Sequence, residues 1–273
     1  NISKIPGIGI SGEDGAYLKN LLDTEKVNVR VKVLRANTTL TYFSSRGPSG
    51  VCVNKSVGTY SSCPEDYPYP YIIKPDVIAP GHMICSARYD NIFPPGQHPW
   101  YYPCIDEKHV FLSGTSMATP IVSGLAALIK QKNPDWKPLE IKQTIKNSAD
   151  KLDYSISEAG KGFVNAFSAI NSKKQPVAQI SDMKMNGVNM SVEGIVYSDN
   201  LDYYKLEHVK DIVQYENQIY NFINNEVSIQ NPNSNKENVL ASIDTTCFET
   251  GWYTLKLSAF DKNKSESNDY SYI

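Results

Sequence analysis

The chain lacks a dominant charge. Lys plus Arg number 27 against 29 for Asp plus Glu, a formal net charge of -2, which excludes a protein that wraps nucleic acid or binds anionic membrane through a basic surface. It also lacks an apolar run of the roughly 18 residues needed to span a bilayer; the longest candidate, Met117 to Ile129, is interrupted by Thr119, Pro120, Ser123 and Gly124. Its five cysteines contain no C-x-x-C pair, so zinc held by paired cysteines is excluded, and they are too few for a disulfide scaffold. No internal repeat is visible. The sequence begins at Asn1, with no initiator Met and no charged-then-apolar signal segment, and reads as a processed product or a piece of a longer protein. What is present is 273 residues, 30.5 kDa, enough for about two domains with real cores.

The cysteines stand at 52, 63, 85, 104 and 247. Leaving one unpaired allows about fifteen two-bridge patterns. The sequentially nearest, Cys52 with Cys63 and Cys85 with Cys104, would each close a Pro/Tyr-rich loop and contribute about 2 to 3 kcal/mol by restricting the unfolded chain. Reduced, buried cysteines are the alternative. N-x-S/T triplets at Asn37, Asn54, Asn189 and Asn263 fit an exported chain, and together these features favour an extracellular or cell-surface protein.

Hydropathy patterning divides the chain. Residues 5 to 34 read as strand, helix, strand, ending in the alternation Val27, Val29, Val31, Val33. Residues 47 to 103 are rich in Pro, Tyr and Gly and read as loops around two short strands. Met117 to Gln131 is apolar on nearly every side, which predicts a helix buried in the middle of a domain. A second helix is expected from about Pro138 to Leu152, with Ile141, Ile145, Ala149 and Leu152 on one face. A third, short one carries Val164, Ala166, Phe167 and Ile170. The polar stretch Asn171 to Lys174 reads as a linker. Beyond Pro176 the period is two, as in Tyr253, Leu255, Leu257 and Ala259, with Gly194 a bulge candidate, so residues 174–273 are expected to form an all-β sandwich. The polar run from Asn224 to Asn238 reads as an exposed loop.

The stretch that carries chemistry is Gly114, Thr115, Ser116, Met117, Ala118, Thr119, Pro120, directly before the apolar helix. A hydroxyl at a helix N-terminus sits among unpaired backbone N–H groups and the positive end of the dipole, where an oxyanion is stabilised. Ser116 is thus placed for acyl transfer. For a Ser of unknown context the plainer role, with Ser116 or Thr115 capping the helix, would be the commoner one. The stretch is not the G-x-S-x-G elbow, since Ala118 replaces the second Gly.

In its full context this segment resembles the nucleophile motif of the subtilisin-like serine proteases, Gly-Thr-Ser-Met-Ala-x-Pro. The resemblance extends to Phe43-Ser44-Ser45-Arg46-Gly47-Pro48, to Lys74 through Gly81, to Asn133-Pro134-Asp135-Trp136 and to Gly160-Lys161-Gly162, covering about 130 residues, roughly 43 to 172. It implies three parts: a remnant of an inserted protease-associated domain over 1–36, the C-terminal half of an α/β catalytic domain with a mainly parallel sheet over 37–173, and the following β-sandwich over 174–273. It implies a serine endopeptidase acting on protein or peptide, with Ser116 as nucleophile within Gly114, Thr115, Met117, Ala118 and Pro120.

In subtilisin the triad runs Asp, His, Ser along the chain. Neither the family's Asp block nor its His block occurs here, and the Asn that donates to the oxyanion is also absent. The missing groups would therefore lie in an N-terminal half, upstream in cis or on a separate chain, and this chain alone would be inactive, because the triad works as a unit. A local triad of Asp76, one of His82, His98 or His109, and Ser116 has the right order, but Asp76 falls in a block where the family uses it structurally, and the histidines lie in or beside Pro-rich loops. His208 is assigned to a solvated strand. Arg46 is expected in a structural ion pair rather than against substrate. Tyr67, Tyr69, Tyr71, Trp100, Tyr101 and Tyr102 suit either a rim for extended peptide or loop packing. No cofactor is expected; calcium is left open, with no D-x-D-x-D-G loop present. The alternatives to a protease are a catalytically silent subtilase-fold protein used for surface binding, and a mere fragment.

Overall fold

The computed structural model describes residues 39–50, 52–54, 59–61, 71–88, 102–106, 108–215, 220–225 and 234–273. The expected strand–helix–strand of residues 5–34, the inserted-domain remnant, the Cys52–Cys63 bridge, His98 and most of the aromatic run lie outside the described residues. The chain divides into two compact units, Asn1–Thr39 and Leu40–Ile273, and everything below concerns the second.

Its first part carries short strands: β1 Ser49–Gly50, β2 Cys52–Asn54, β3 Thr59–Ser61, β4 Tyr71–Ile72, β5 Ile84–Ala87, β6 Tyr102–Pro103 and β7 His109–Leu112. That is more strand than the two expected, in pieces of two to four residues, as the prolines require. β5, β7 and β6 form a small antiparallel sheet, stapled by the disulfide Cys85–Cys104. One of the two nearest-neighbour bridges is therefore formed, while Cys247 is free and exposed.

Four helices follow: α1 Thr115–Lys132, α2 Pro138–Asn147, α3 Ile156–Ala159 and α4 Ala166–Asn171. Pro138 opens α2 where a missing N–H costs nothing, and the Glu140 carboxylate accepts the Lys137 N–H at 2.6 Å. The helix stops five residues short of Leu152 because the backbone of Asp150 leaves to pair with Phe163, with N···O distances of 2.8 and 2.9 Å. α4 is capped by Asn165, whose side chain accepts from Ser168 N. α3, a single turn, carries a Ser155/Glu158 capping box that the apolar period alone does not signal.

The buried-helix expectation for Met117 to Gln131 is corrected. Within α1 only Leu125 and Ile129 are buried, packed with Ile141, Ile145, Val164 and Ala169. Ser116, Thr119, Pro120, Ser123, Gly124, Ala127 and Leu128 are exposed, Leu128 to 49%. At 3.6 residues per turn these fall on one side, and no described element covers it.

The last hundred residues form β8 Val177–Asn186, β9 Asn189–Tyr197, β10 Leu201–Val209, β11 Ile223–Asn225, β12 Ser234–Asp244, β13 Thr254–Asp261 and β14 Glu266–Tyr272. One sheet has the order β12-β9-β8; the other runs β1-β4-β14-β13-β10-β11. Residues of both, among them Val192, Val196, Leu206, Leu255 and Leu257, share one apolar cluster. The polar run Asn224 to Asn238 is in part strand: β12 is an edge strand paired to β9, and an edge tolerates polar side chains that the period-two pattern misses. Gly194 sits beside register shifts in both neighbouring strands, and a Cβ there would lie 2.2 Å from Gln179 O. The glycine is needed for close approach, while the irregularities fall on its partners. His208, assigned to a solvated strand position, is instead buried, beside Phe248 and Tyr253.

The mainly parallel sheet is also corrected. Every pairing between named strands is antiparallel, and among the described residues the one parallel bridge is Ile78 with Phe163. Within residues 37–173 the pairs β2–β3 and β6–β7 join segments only four or five residues apart, which must pair antiparallel, whereas parallel pairing requires long crossovers.

The six-stranded sheet crosses from one end of the chain to the other, since β14 pairs with β4 through Ser271–Ile72 and Tyr272–Tyr71. Lys146 on α2 is buried and reaches Asp269 on β14 at 3.0 Å and Asp76 at 3.8 Å, and the second Asp269 oxygen accepts from Ile180 N. Asn147 binds Glu266 O and Ser267 Oγ. Ile156, Val213, Tyr270 and Tyr272 make a further small core.

Candidate active site

Ser116 lies in the first turn of α1, exposed. The residue before the helix is Gly114, and no side chain caps the end, so neither Ser116 nor Thr115 serves the capping role. Gly114 N–H is bonded to Gly81 O at 2.7 Å and Met117 N–H to Gly114 O at 3.0 Å; the N–H groups of Thr115 and Ser116 take no part in these bonds. The Ser116 hydroxyl makes no hydrogen bond among the described residues.

Pro120 stands four residues after Ser116 inside the helix. With no N–H to give, it cannot close the turn onto the Ser116 carbonyl, and its ring crowds that oxygen. The first turn is thus loosened at Ser116. Thr119 Oγ1 bonds back to Thr115 O at 3.0 Å, and Ser123 Oγ to Thr119 O at 3.1 Å.

Three hydrogen bonds fix the approach to this turn: the Gly81–Gly114 bond, Met83 N–H to Ser113 Oγ at 2.8 Å, and Ser113 Oγ with His82 Nδ1 at 3.0 Å. A Cβ on Gly81 would lie 3.3 Å from the Ala118 Cβ and 2.8 Å from Gly114 O, so the 81–83 backbone runs against the start of the helix. Phe43 packs beside His82, ring centroids 6.4 Å apart.

Among the described residues the local triad is not assembled with His82 or His109; His98 lies outside them. His82 is bonded to Ser113, and His109 to Asp106 at 2.7 Å. Asp76 is ringed by Lys74 at 2.5 Å, Lys142 at 3.3 Å and Lys146. Burial would raise its carboxyl, but Lys142, Lys146 and Lys74 outweigh it and hold Asp76 below the ordinary range. Burial pushes the Lys142 ammonium down. Arg46 is, as expected, in an ion pair within the chain, its Nε 3.4 Å from Glu158, with a further bond to Ser44 O at 2.9 Å. The sequence gives no cue to the His82–Ser113 contact, which joins residues 31 apart whose spacing matches no periodic element. Among the described residues no three His, Cys, Asp or Glu side chains gather to hold a metal ion, and no described helix is long and apolar enough to cross a membrane.

A model of the subtilase family matches residues 13–165, more than half of the sequence. The chain belongs to the subtilase family. Among curated relatives, this subtilase is 40% identical over 117 residues to subtilisin-like protease SBT1.9 of Arabidopsis thaliana, covering 42% of this chain and 15% of that protein. It is 35% identical over 158 residues to subtilisin-like protease SBT3.7 of the same plant, covering 54% and 19%. With serine protease AprX of Bacillus subtilis (strain 168) it shares 35% over 170 residues, covering 59% and 34%. The match thus spans about a third or less of the length of these relatives.

Proposed function

We propose that this subtilase chain is the nucleophile-bearing portion of a serine endopeptidase that cleaves protein or peptide substrates outside the cell. The observation that carries the reading is Ser116 itself: exposed in the first turn of an 18-residue helix, inside the family-matched region, with its own N–H uncommitted among the described residues. Ser116 Oγ attacks the scissile carbonyl and forms the C–O bond of an acyl-enzyme. Its proton passes to an imidazole and then to the departing amine as the C–N bond breaks; water reverses the sequence to free the acid. The Ser116 N–H at the helix N-terminus donates to the oxyanion.

The imidazole, its Asp and a second oxyanion donor come, in this reading, from an N-terminal half in cis or on a companion chain. The exposed side of α1 supports this, because it carries Ser116 together with Pro120, Gly124, Ala127 and Leu128, a surface with apolar residues awaiting cover. Residues 174–273 are read as a β-sandwich that buttresses the catalytic half, and the reaction as written requires no metal.

Labelling with a fluorophosphonate, read by peptide mass, tests the proposal. An adduct on Ser116 is expected only when the Asp- and His-bearing portion is present. An adduct on the isolated chain would revive an internal base, and none in either case would favour a silent binding protein.

A further inference from the structure

His82 is an exposed imidazole set beside the nucleophile's turn, and the proposed chemistry makes no use of it. Its place is fixed by the chain around it. Gly81 O holds Gly114 N–H, and Met83 N–H donates to Ser113 Oγ, so the residues on either side of His82 are tied to the two residues that lead into α1. Phe43 flanks the ring.

The hydrogen bonds also bear on what the ring offers. Ser113 Oγ accepts from Met83 N–H and, keeping its own hydrogen and a second lone pair, can either donate to His82 Nδ1 or accept from it. In the neutral tautomer in which Nδ1 accepts, the ring hydrogen sits on Nε2. In the imidazolium, Nδ1–H donates to the second lone pair of Ser113 Oγ, and Nε2 again carries a hydrogen. Nε2 is an N–H donor in that tautomer and in the imidazolium, and it has no hydrogen-bond partner among the described residues. An N–H donor exposed beside the start of a catalytic helix suits an acceptor on the bound chain. A carboxylate is the acceptor that gains most, since a bond to a charged group is roughly twice as strong as a neutral one.

Resting on the peptidase reading above, we propose that His82 is a specificity-determining residue of the site, its Nε2–H binding an Asp or Glu side chain of the peptide substrate near the scissile bond. Ser113 is the positioning residue that aims it.

The test uses the complete protease, with the Asp- and His-bearing portion present, and peptide pairs that differ only by Glu or Gln at each position on either side of the cleaved bond. For one position the Glu peptide is expected to show a kcat/KM about five- to tenfold above its Gln twin, the scale of the difference between a charge-assisted and a neutral hydrogen bond. In His82→Phe, which keeps a ring against Phe43, that ratio falls to near one; in His82→Gln, which restores a donor, part of it returns. In Ser113→Ala the ratio shrinks, because the ring is no longer held. No Glu preference at any position, or one that survives His82→Phe, overturns the inference while leaving the peptidase reading intact. Failure to hydrolyse any peptide, with no fluorophosphonate adduct on Ser116, sinks the peptidase reading instead.

Discussion

Asp76 shows how much of this molecule's electrostatics turns on one carboxylate. Three ammonium groups, Lys74, Lys142 and Lys146, converge on it, and its folded pKa lies below its ordinary value of 3.8. A carboxyl depressed on folding adds stability that is complete above its unfolded pKa and is lost as the pH falls through the folded one. Asp76→Asn is therefore expected to lower the urea midpoint near pH 7, and the gap from the parent should narrow as the pH drops below about 4. A gap independent of pH would show that the charge of Asp76 is immaterial. The same residue marks a limit of sequence reading. Its block and its structural role are legible at the Lys74-Pro75-Asp76 stretch, but two of its lysines lie on α2, about seventy residues away, and no local pattern announces them. Gly160 is similar: the motif names it, but only the fold explains it, since a Cβ there would meet Pro75 O at 2.2 Å.

At the level of elements, α2 and β14 are joined by a charge pair between buried Lys146 and half-buried Asp269. Removing one member of such a pair strands the other in a low-dielectric setting, which typically costs about 3 to 5 kcal/mol, while neutralising both is far milder. Lys146→Met alone is expected to fall toward the low end of that range, because Asp76 retains Lys74 and Lys142. Asp269→Asn keeps an acceptor for Ile180 N–H, and the double variant should recover most of the loss. A double-mutant cycle read by chemical denaturation decides; strict additivity would mean that the pair is not coupled. Elements with a strong period are where the sequence read best. The apolar face of α2 at Ile141 and Ile145 is found, and Leu255, Leu257 and Ala259 of β13 are buried, but Thr254 and Ser258, expected on the opposite face, are buried as well. Elements whose environment comes from elsewhere read worst. α1 looks central because all its sides are apolar or small, yet burial needs neighbours, and the described chain supplies them on one side. The exposed serine motif at its start was legible; the His82 contact beside it was not.

On the scale of the whole molecule, the β-rich C-terminal part and the helical part share a sheet, a charge pair and a small core, so residues 40–273 should unfold together. Trp136 packs with the helical core and Trp252 stands at the start of the β13 segment. Single-tryptophan variants retaining one or the other are expected to give coincident denaturation midpoints. Two separated transitions would mean that the parts are independent.

The pairing of β14 with β4 has a consequence in time as well as in space. Ser271 lies about two hundred residues beyond its partner Ile72, a separation that makes for slow closure. During synthesis β4 and β1 must wait, with one edge open, until nearly the last codon of this stretch has been read and β14 has cleared the ribosome. A subtilase assembled in this order has the helix of its Gly-Thr-Ser motif translated well before the sheet that braces it is complete.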